Sequence, residues 1–167
     1  MEGSIKINKM LPDDWGKVHS IYLEGIATGH ATFQKEAPYW EEWDLGHNGE
    51  CRIVARLDGD VMGWAALSPV SSRSVYAGVG EVSVYVSQQH SGKGIGSLLL
   101  KSLIEISEQN GFWTMQSSIF PENEASIKLH KNHGFREMGR RERIGKMDGV
   151  WRDTIILERR SRIMGNP

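Results

Sequence analysis

The run Ser91-Gly92-Lys93-Gly94-Ile95-Gly96-Ser97 puts three glycines directly ahead of an apolar stretch. Glycines carry no Cβ, so backbone N–H groups there can close on an anion. The start of a following helix adds about half a positive charge. A turn of this kind between strand and helix is a pyrophosphate cradle. A P-loop would need G-x-x-x-x-G-K-[ST], but Gly92-Lys93 is followed by Gly94. A dinucleotide loop would need G-x-G-x-x-G and an acidic residue about 20 positions on. The spacing here is Gly92-x-Gly94-x-Gly96, and residues 112–116 hold no acid. Coenzyme A is the common pyrophosphate ligand that remains, beside a plain glycine turn that serves helix packing.

Two further groups carry titratable chemistry. Glu81 precedes the glycine loop in an alternating segment, with Ser83 and Tyr85 on its face and Val82, Val84 and Val86 on the other. It is either a general base or an exposed strand carboxylate. Asn123, Ser126 and His130 share one face of a predicted helix. His130 is a proton relay, a substrate contact or a packed histidine near a helix end. His133 stands beside Gly134 and reads as an end-of-helix group. Cys51 is the lone cysteine, so no internal disulfide forms, and it stands far from the motifs. The six histidines show no H-x-x-x-H pair, and no metal is expected.

The elements that must position these groups are legible as periodicity. Strands are predicted at 4–10, 52–57, 61–69, 80–87, 113–120, 135–146 and 151–159, and helices after Asp13, over 38–47, after Gly96 and from Asn123 to Gly134. Ile95, Leu98, Leu99, Leu103 and Ile106 form the apolar stripe of the helix after the loop. Asp58-Gly59 and Asp148-Gly149 are hairpin turns. This order is mixed α/β, with one crossover that makes a parallel strand pair.

The 167 residues suit one domain, predicted over 1–160, with 161–167 as a frayed basic tail. The net charge of -1 gives no general attraction to nucleic acid or an anionic membrane. The N-terminus lacks the order of a signal peptide, and no apolar run approaches the roughly 20 residues of a membrane span. A cytoplasmic protein is expected.

Val84-Tyr85-Val86, Gly92 to Leu99, and Asn123-Glu124-Ala125-Ser126-Ile127-Lys128-Leu129-His130 with Gly134-Phe135 together resemble the acyl-CoA loop and the N-x-x-S-x-x-L/F-x-x-x-x-G-F segment of the GNAT superfamily of N-acetyltransferases. Ala31-Thr32-Phe33, Glu81 to Ser87, Leu129-His130 and Gly145 to Asp153 resemble its phosphinothricin and methionine sulfoximine acetyltransferase branch. The resemblance runs from about Ile5 to Leu157. It implies a splayed, mostly antiparallel sheet of six to seven strands with about four helices. It also implies acetyl-CoA as cosubstrate, transfer to the primary amine of a small amino-acid-like molecule, and a homodimer.

Residue by residue, the resemblance puts the pyrophosphate on Gly92, Lys93, Gly94, Ile95, Gly96 and Ser97, and the rest of the coenzyme against Asn123 and the backbone of Val84, Tyr85 and Val86, where a strand bulge frees an N–H for the thioester carbonyl. It makes Glu81 the base, usually through water, and directs His130 toward the acyl centre. It makes Phe33, with Thr32, a pocket wall, and Ser71, Ser72 and Arg73 a substrate loop. Lys146, Trp151 and Arg152 fall in a hairpin near pocket and dimer interface. Ser91 departs from the family's usual Arg or Gln, so a pyrophosphate contact is either missing or supplied by Gln89 or Lys93. Tyr85 is a weak candidate to assist the departing thiolate. Arg73, Lys146 and Arg152 favour an anionic substrate over a polyamine or aminoglycoside. A GNAT enzyme acting on another amine, such as a protein N-terminus, and a non-catalytic coenzyme A sensor are the rival readings; Glu81 and His130 speak against the sensor.

Overall fold

A computed structural model describes residues 4–166; of the predicted domain and tail, residues 1–3 and 167 lie outside them. Strand β1 (Lys6–Lys9) leads into α1 (Trp15–Ala27) and α2 (Trp40–Gly46). Then come β2 (Arg52–Leu57), β3 (Asp60–Pro69), β4 (Val79–Val86), α3 (Ile95–Gln109), β5 (Thr114–Ile119), α4 (Glu124–Asn132), β6 (Arg136–Met147) and β7 (Val150–Arg160). The seven strands form one sheet in the order β1-β2-β3-β4-β5-β7-β6. Every pairing is antiparallel except β4 with β5. Both hairpins turn on Asp-Gly with positive φ at each residue, at Asp58-Gly59 and Asp148-Gly149; this geometry matches the right-handed twist of the flanking strands.

Each sheet face is covered. On one, α3 buries Ile95, Leu99, Leu100, Leu103 and Ile104 against Ile53, Ala65, Leu67 and Val82. The buried stripe is turned slightly from the predicted one. Leu98 is 41% exposed, and Leu100 and Ile104 take the core positions. On the other face α1 and α2 close over an aromatic layer built on Trp43 and Trp64. Tyr85 stacks on Trp64 at 4.9 Å and meets Tyr22 at 5.0 Å. No helix among the described residues is long and apolar enough to cross a membrane.

Residues 161–166, which the sequence presents as a tail, fold back on the body. Ser161 is buried and donates to Glu108, and the Arg160 guanidinium donates to the carbonyls of Ser161, Met164 and Gly165. Five donors in a planar fork allow one arginine to satisfy several turn carbonyls at once.

The feature that positions the site is a break between two neighbouring strands. The β4 and β5 strands share only three rungs, Val79↔Thr114, Gly80↔Met115 and Glu81↔Gln116. Beyond Glu81 they part, although β4 stays paired to β3 as far as Val86 and β5 to β7 as far as Ile119. The expected bulge in β4 is absent from this pairing: its register with β3 runs unbroken from Pro69↔Gly80 to Gly63↔Val86. Backbone groups of residues 82–86 are freed by the splay from β5, since a strand with one neighbour leaves half its N–H and C=O groups unpaired.

Candidate active site

The splay opens into a cleft of about 800 Å³. Residues of β4 and β5 form its floor, with the 28–34 segment after α1 and the start of α4 at its sides, and β6 contributes Arg141, Ile144 and Gly145. Glu81, Val84, Tyr85, Val86, Asn123, His130 and Phe33 all line it, so the structure gathers these predicted residues in one place. Glu81 sits on the last rung before the strands part and is half-buried. Burial pushes its carboxyl above the ordinary value, and the Arg141 guanidinium partly opposes that rise. A carboxylate poised upward is a better proton acceptor near neutral pH than a solvated one.

His130 is 3% exposed, and Phe135 meets its ring edge to face at 5.0 Å. Its Nδ1 lies 2.7 Å from the carbonyl oxygen of Ser126. A carbonyl can only accept, so Nδ1 carries the proton and Nε2 holds a lone pair. That Nε2 is buried without a hydrogen-bond partner. Burial, foremost, also lowers the pKa and keeps the imidazole neutral at pH 7. A buried acceptor left open in this way fits a donor brought by a ligand.

Asn123 caps α4. Its Oδ1 accepts from the Ser126 N–H at 3.3 Å, and its Nδ2 donates to the His30 carbonyl at 3.3 Å. Its side chain therefore ties α4 to the opposite wall. Tyr85 is packed among Trp64, Tyr22 and Gly25, where a Cβ would come within 2.5 Å of its ring. Burial raises the phenol far above its ordinary value, which makes it a poor acid for a departing thiolate.

The glycine loop lies beyond the cleft lining; it begins five residues after Val86 and runs into the head of α3. Gly92 and Gly94 both have positive φ, +76° and +79°, a conformation that side-chain-bearing residues rarely adopt. The Leu98 N–H closes the first turn of α3 on the Gly94 carbonyl at 3.2 Å. The N–H groups before it have no partner within the helix and point out of its positive end. Gly96 lets α3 approach α4: a Cβ would stand 3.3 Å from Leu129. The Ser97 hydroxyl is engaged by Nε2 of His133, the residue that ends α4, at 2.8 Å. Lys93 lies exposed with its ammonium 3.4 Å from His90 Nδ1, and the Ser91 hydroxyl donates to Gln88. Loop, splay and orphaned imidazole together suit an elongated molecule with an anionic middle and an amide-bearing arm, which is the shape of acetyl-CoA.

Ser71, Ser72 and Arg73 are not brought into the cleft. The Ser71 hydroxyl accepts from the Arg73 N–H at 3.1 Å, and the Arg73 guanidinium lies 5.8 Å from the Tyr76 ring. Lys146 is likewise occupied, over Trp151 at 5.6 Å.

Arg152 acts behind the wall. Its guanidinium donates to Gly29 O at 2.9 Å and to Glu122 at 3.3 Å, approaches His30 Nδ1 at 3.1 Å, and lies 4.0 Å from the Phe120 ring centre. The Lys35–Asp148 ion pair fixes the same segment further along, and Phe33 rests on Phe120 and against the bare face of Gly145. With its side chain only 12% exposed, Arg152 holds the 28–34 wall to β7 and the 120–123 turn. Arg152→Ala should cost about 2 kcal/mol and lower the melting midpoint by about 4–8 °C. It should also raise KM for the amine while leaving KM for acetyl-CoA unchanged. Arg152→Lys should not restore the wall, because a point charge lacks the fork. Thermal melts and paired KM values check this.

The sequence reading missed His30, Glu122, Arg141 and Thr154 as cleft residues. The first two stand beside predicted site residues and are drawn in by Arg152. The other two depend on the register of β6 against β7, which shifts between Glu137 and Gly139 and again between Arg141 and Gly145; simple alternation cannot follow such shifts.

Residues 11–135 match the model of the acetyltransferase (GNAT) family. The chain is 29% identical over 163 residues to a phosphinothricin N-acetyltransferase of Streptomyces coelicolor, covering 93% of this chain and 95% of that one. It is 35% identical over 106 residues to an L-methionine sulfoximine/L-methionine sulfone acetyltransferase of Pseudomonas paraeruginosa, 64% of this chain and 62% of that one. Among solved structures, a GNAT superfamily phosphinothricin acetyltransferase from Sinorhizobium meliloti, in complex with acetyl-CoA, superposes with a TM-score of 0.85 at 30% identity, covering 93% of this chain and 88% of the other.

Proposed function

The chain belongs to the acetyltransferase (GNAT) family and is an N-acetyltransferase, and from that premise we propose that it acetylates the primary amine of a small amino-acid-like molecule of the phosphinothricin, methionine sulfoximine or methionine sulfone type. The observation that carries the reading is Glu81: a half-buried carboxyl of raised pKa, on the last rung before β4 and β5 separate, facing the cleft. The named activities of the relatives support the same class of substrate.

Acetyl-CoA, when bound, supplies an activated acetyl thioester. Gly92 to Ser97 would hold its pyrophosphate on the unpartnered N–H groups at the head of α3. The freed backbone of residues 84–86 and the α4 face carrying Asn123 would hold its arm. Glu81 accepts the proton that the ammonium must lose before its nitrogen can attack, directly or through a water; as the C–N bond forms the C–S bond would break, and the departing thiolate would take its proton from water. A free backbone N–H of β4 stabilises charge that develops on the carbonyl oxygen. His130, neutral and with Nε2 open, accepts a hydrogen bond or a proton at the inner end of the cleft.

Free-thiol release from acetyl-CoA, measured with phosphinothricin, methionine sulfoximine, methionine sulfone, spermidine and a peptide N-terminus, tests the reading. Turnover is expected with the first three amines and at least tenfold less with the last two. Turnover confined to spermidine or the peptide would overturn the substrate class.

A further inference from the structure

The cleft contains one arginine or lysine among its lining residues, Arg141 of β6. Among the described residues Arg141 makes no ion pair, while its neighbours are taken. Arg140 Nε donates to Asp153 at 2.6 Å, the backbone N–H of Arg143 donates to the other oxygen of the same carboxylate at 2.7 Å, and the Arg143 guanidinium turns to Glu142. Asp153 thus pins both flanks of the irregular stretch where β6 carries Arg143 at φ +48° and loses register with β7. Between those two fixed points Arg141 sits directly opposite Thr154, and cross-strand partners share a sheet face.

Thr154 also lines the cleft. It is 5% exposed, and its hydroxyl is buried with no hydrogen-bond partner among the described residues. A buried hydroxyl with no partner costs stability unless something bound there completes it. The cation and the open hydroxyl are therefore cross-strand neighbours that line one cleft together with Glu81. Arg73 and Lys146 are exposed and lie outside the cleft lining, near the rings of Tyr76 and Trp151, and Arg152 is hydrogen-bonded to the 28–34 wall.

We infer that Arg141, with the Thr154 hydroxyl beside it, is the receptor for the acidic group of the substrate, so that the cleft takes a zwitterion with its amine toward Glu81 and its anion on β6. The inference rests on the proposed acetylation of amino-acid-like amines and adds the residues that select them. Arg141 offers a planar fork matched to two oxygens of a carboxylate or phosphinate, and Thr154 supplies a further donor. The electrostatic effect of Arg141 on Glu81 is consistent with the two groups facing one ligand. A dicationic polyamine would meet the guanidinium as a like charge.

The test compares methionine sulfone with methionine sulfone carboxamide, which keeps the amine and loses the acid. Wild type should prefer the acid by about ten- to hundredfold in kcat/KM, the range expected for a charge-assisted contact. Arg141→Leu should raise KM for the acid by a similar factor, leave kcat within about threefold, and erase the preference over the carboxamide. Arg141→Lys should recover part of it. KM for acetyl-CoA and the melting midpoint should not move, because the side chain is exposed and makes no ion pair or hydrogen bond with the fold. Equal use of acid and carboxamide by wild type, or an equal loss of both in Arg141→Leu, would overturn the role of Arg141 while leaving the acetyltransferase reading intact. Absence of turnover with either compound in wild type, alongside turnover of a polyamine or peptide, would overturn both.

Discussion

Glu81→Gln should lower kcat by about 10²–10⁴-fold, the contribution of a positioned general base, with little change in either KM. Glutamine keeps the shape and loses only the ability to take a proton. In wild type, kcat/KM should fall as pH drops through the raised pKa of Glu81. In the variant that limb should vanish and leave only the titration of the amine substrate itself. Stability should move in the opposite direction. A carboxyl whose folded pKa lies above its unfolded value favours the fold while protonated, and that favourable contribution is lost as pH rises through the folded pKa. At pH 7 the ionised Glu81 therefore opposes folding, and Glu81→Gln should melt at or above the wild-type temperature. The gap should close below the ordinary glutamate pKa, where Glu81 is protonated in both states. Loss of activity together with a lower melting point would mark Glu81 as a structural residue.

Gly94→Val should raise KM and Kd for acetyl-CoA by about ten- to hundredfold, equivalent to one or two charge-assisted hydrogen bonds, and leave KM for the amine unchanged. No heavy atom lies within 4 Å of a Cβ at this position, so crowding is not the cause. The cause is φ at +79°: a β-branched residue is strained there, and relief of that strain would rotate the N–H groups that converge at the head of α3. Gly94→Asn should retain much more affinity, since asparagine visits this region more readily. Calorimetric titration of acetyl-CoA into the two variants separates backbone strain from a general intolerance of side chains. Equal weakening in both would point to occlusion of the anion site.

What was legible in the sequence is what local chemistry encodes. The glycine loop, the Asn123 cap and the alternation around Glu81 are each written within a few consecutive residues, and the structure gathers Glu81, Asn123 and His130 around one cleft. The parallel pair was visible because a helix-length crossover permits nothing shorter. The losses came where a side chain answers to a distant partner. The resemblance makes Arg73 part of a substrate loop, while among the described residues it lies beside Ser71 and Tyr76 and outside the cleft lining. Arg152 was placed near the pocket, yet its role as a clamp depends on carbonyl and carboxylate partners some thirty and more than a hundred residues away. Arg141 stood in an undifferentiated charge run, Arg140-Arg141-Glu142-Arg143. Only the register of β6 on β7, held by Asp153, decides which of those residues faces inward.

The parting of β4 from β5 also gives the sheet two inner edges, one on each strand. An unpaired strand edge accepts any extended amide-bearing chain, and on an outer rim that is a route to aggregation. Here the same liability lies in a cleft whose sides the Arg152 clamp and the Asn123 cap hold together. A slender, flexible molecule rich in amides suits such an edge. Steric access thus screens for the shape of the cosubstrate before any side chain contributes to its recognition.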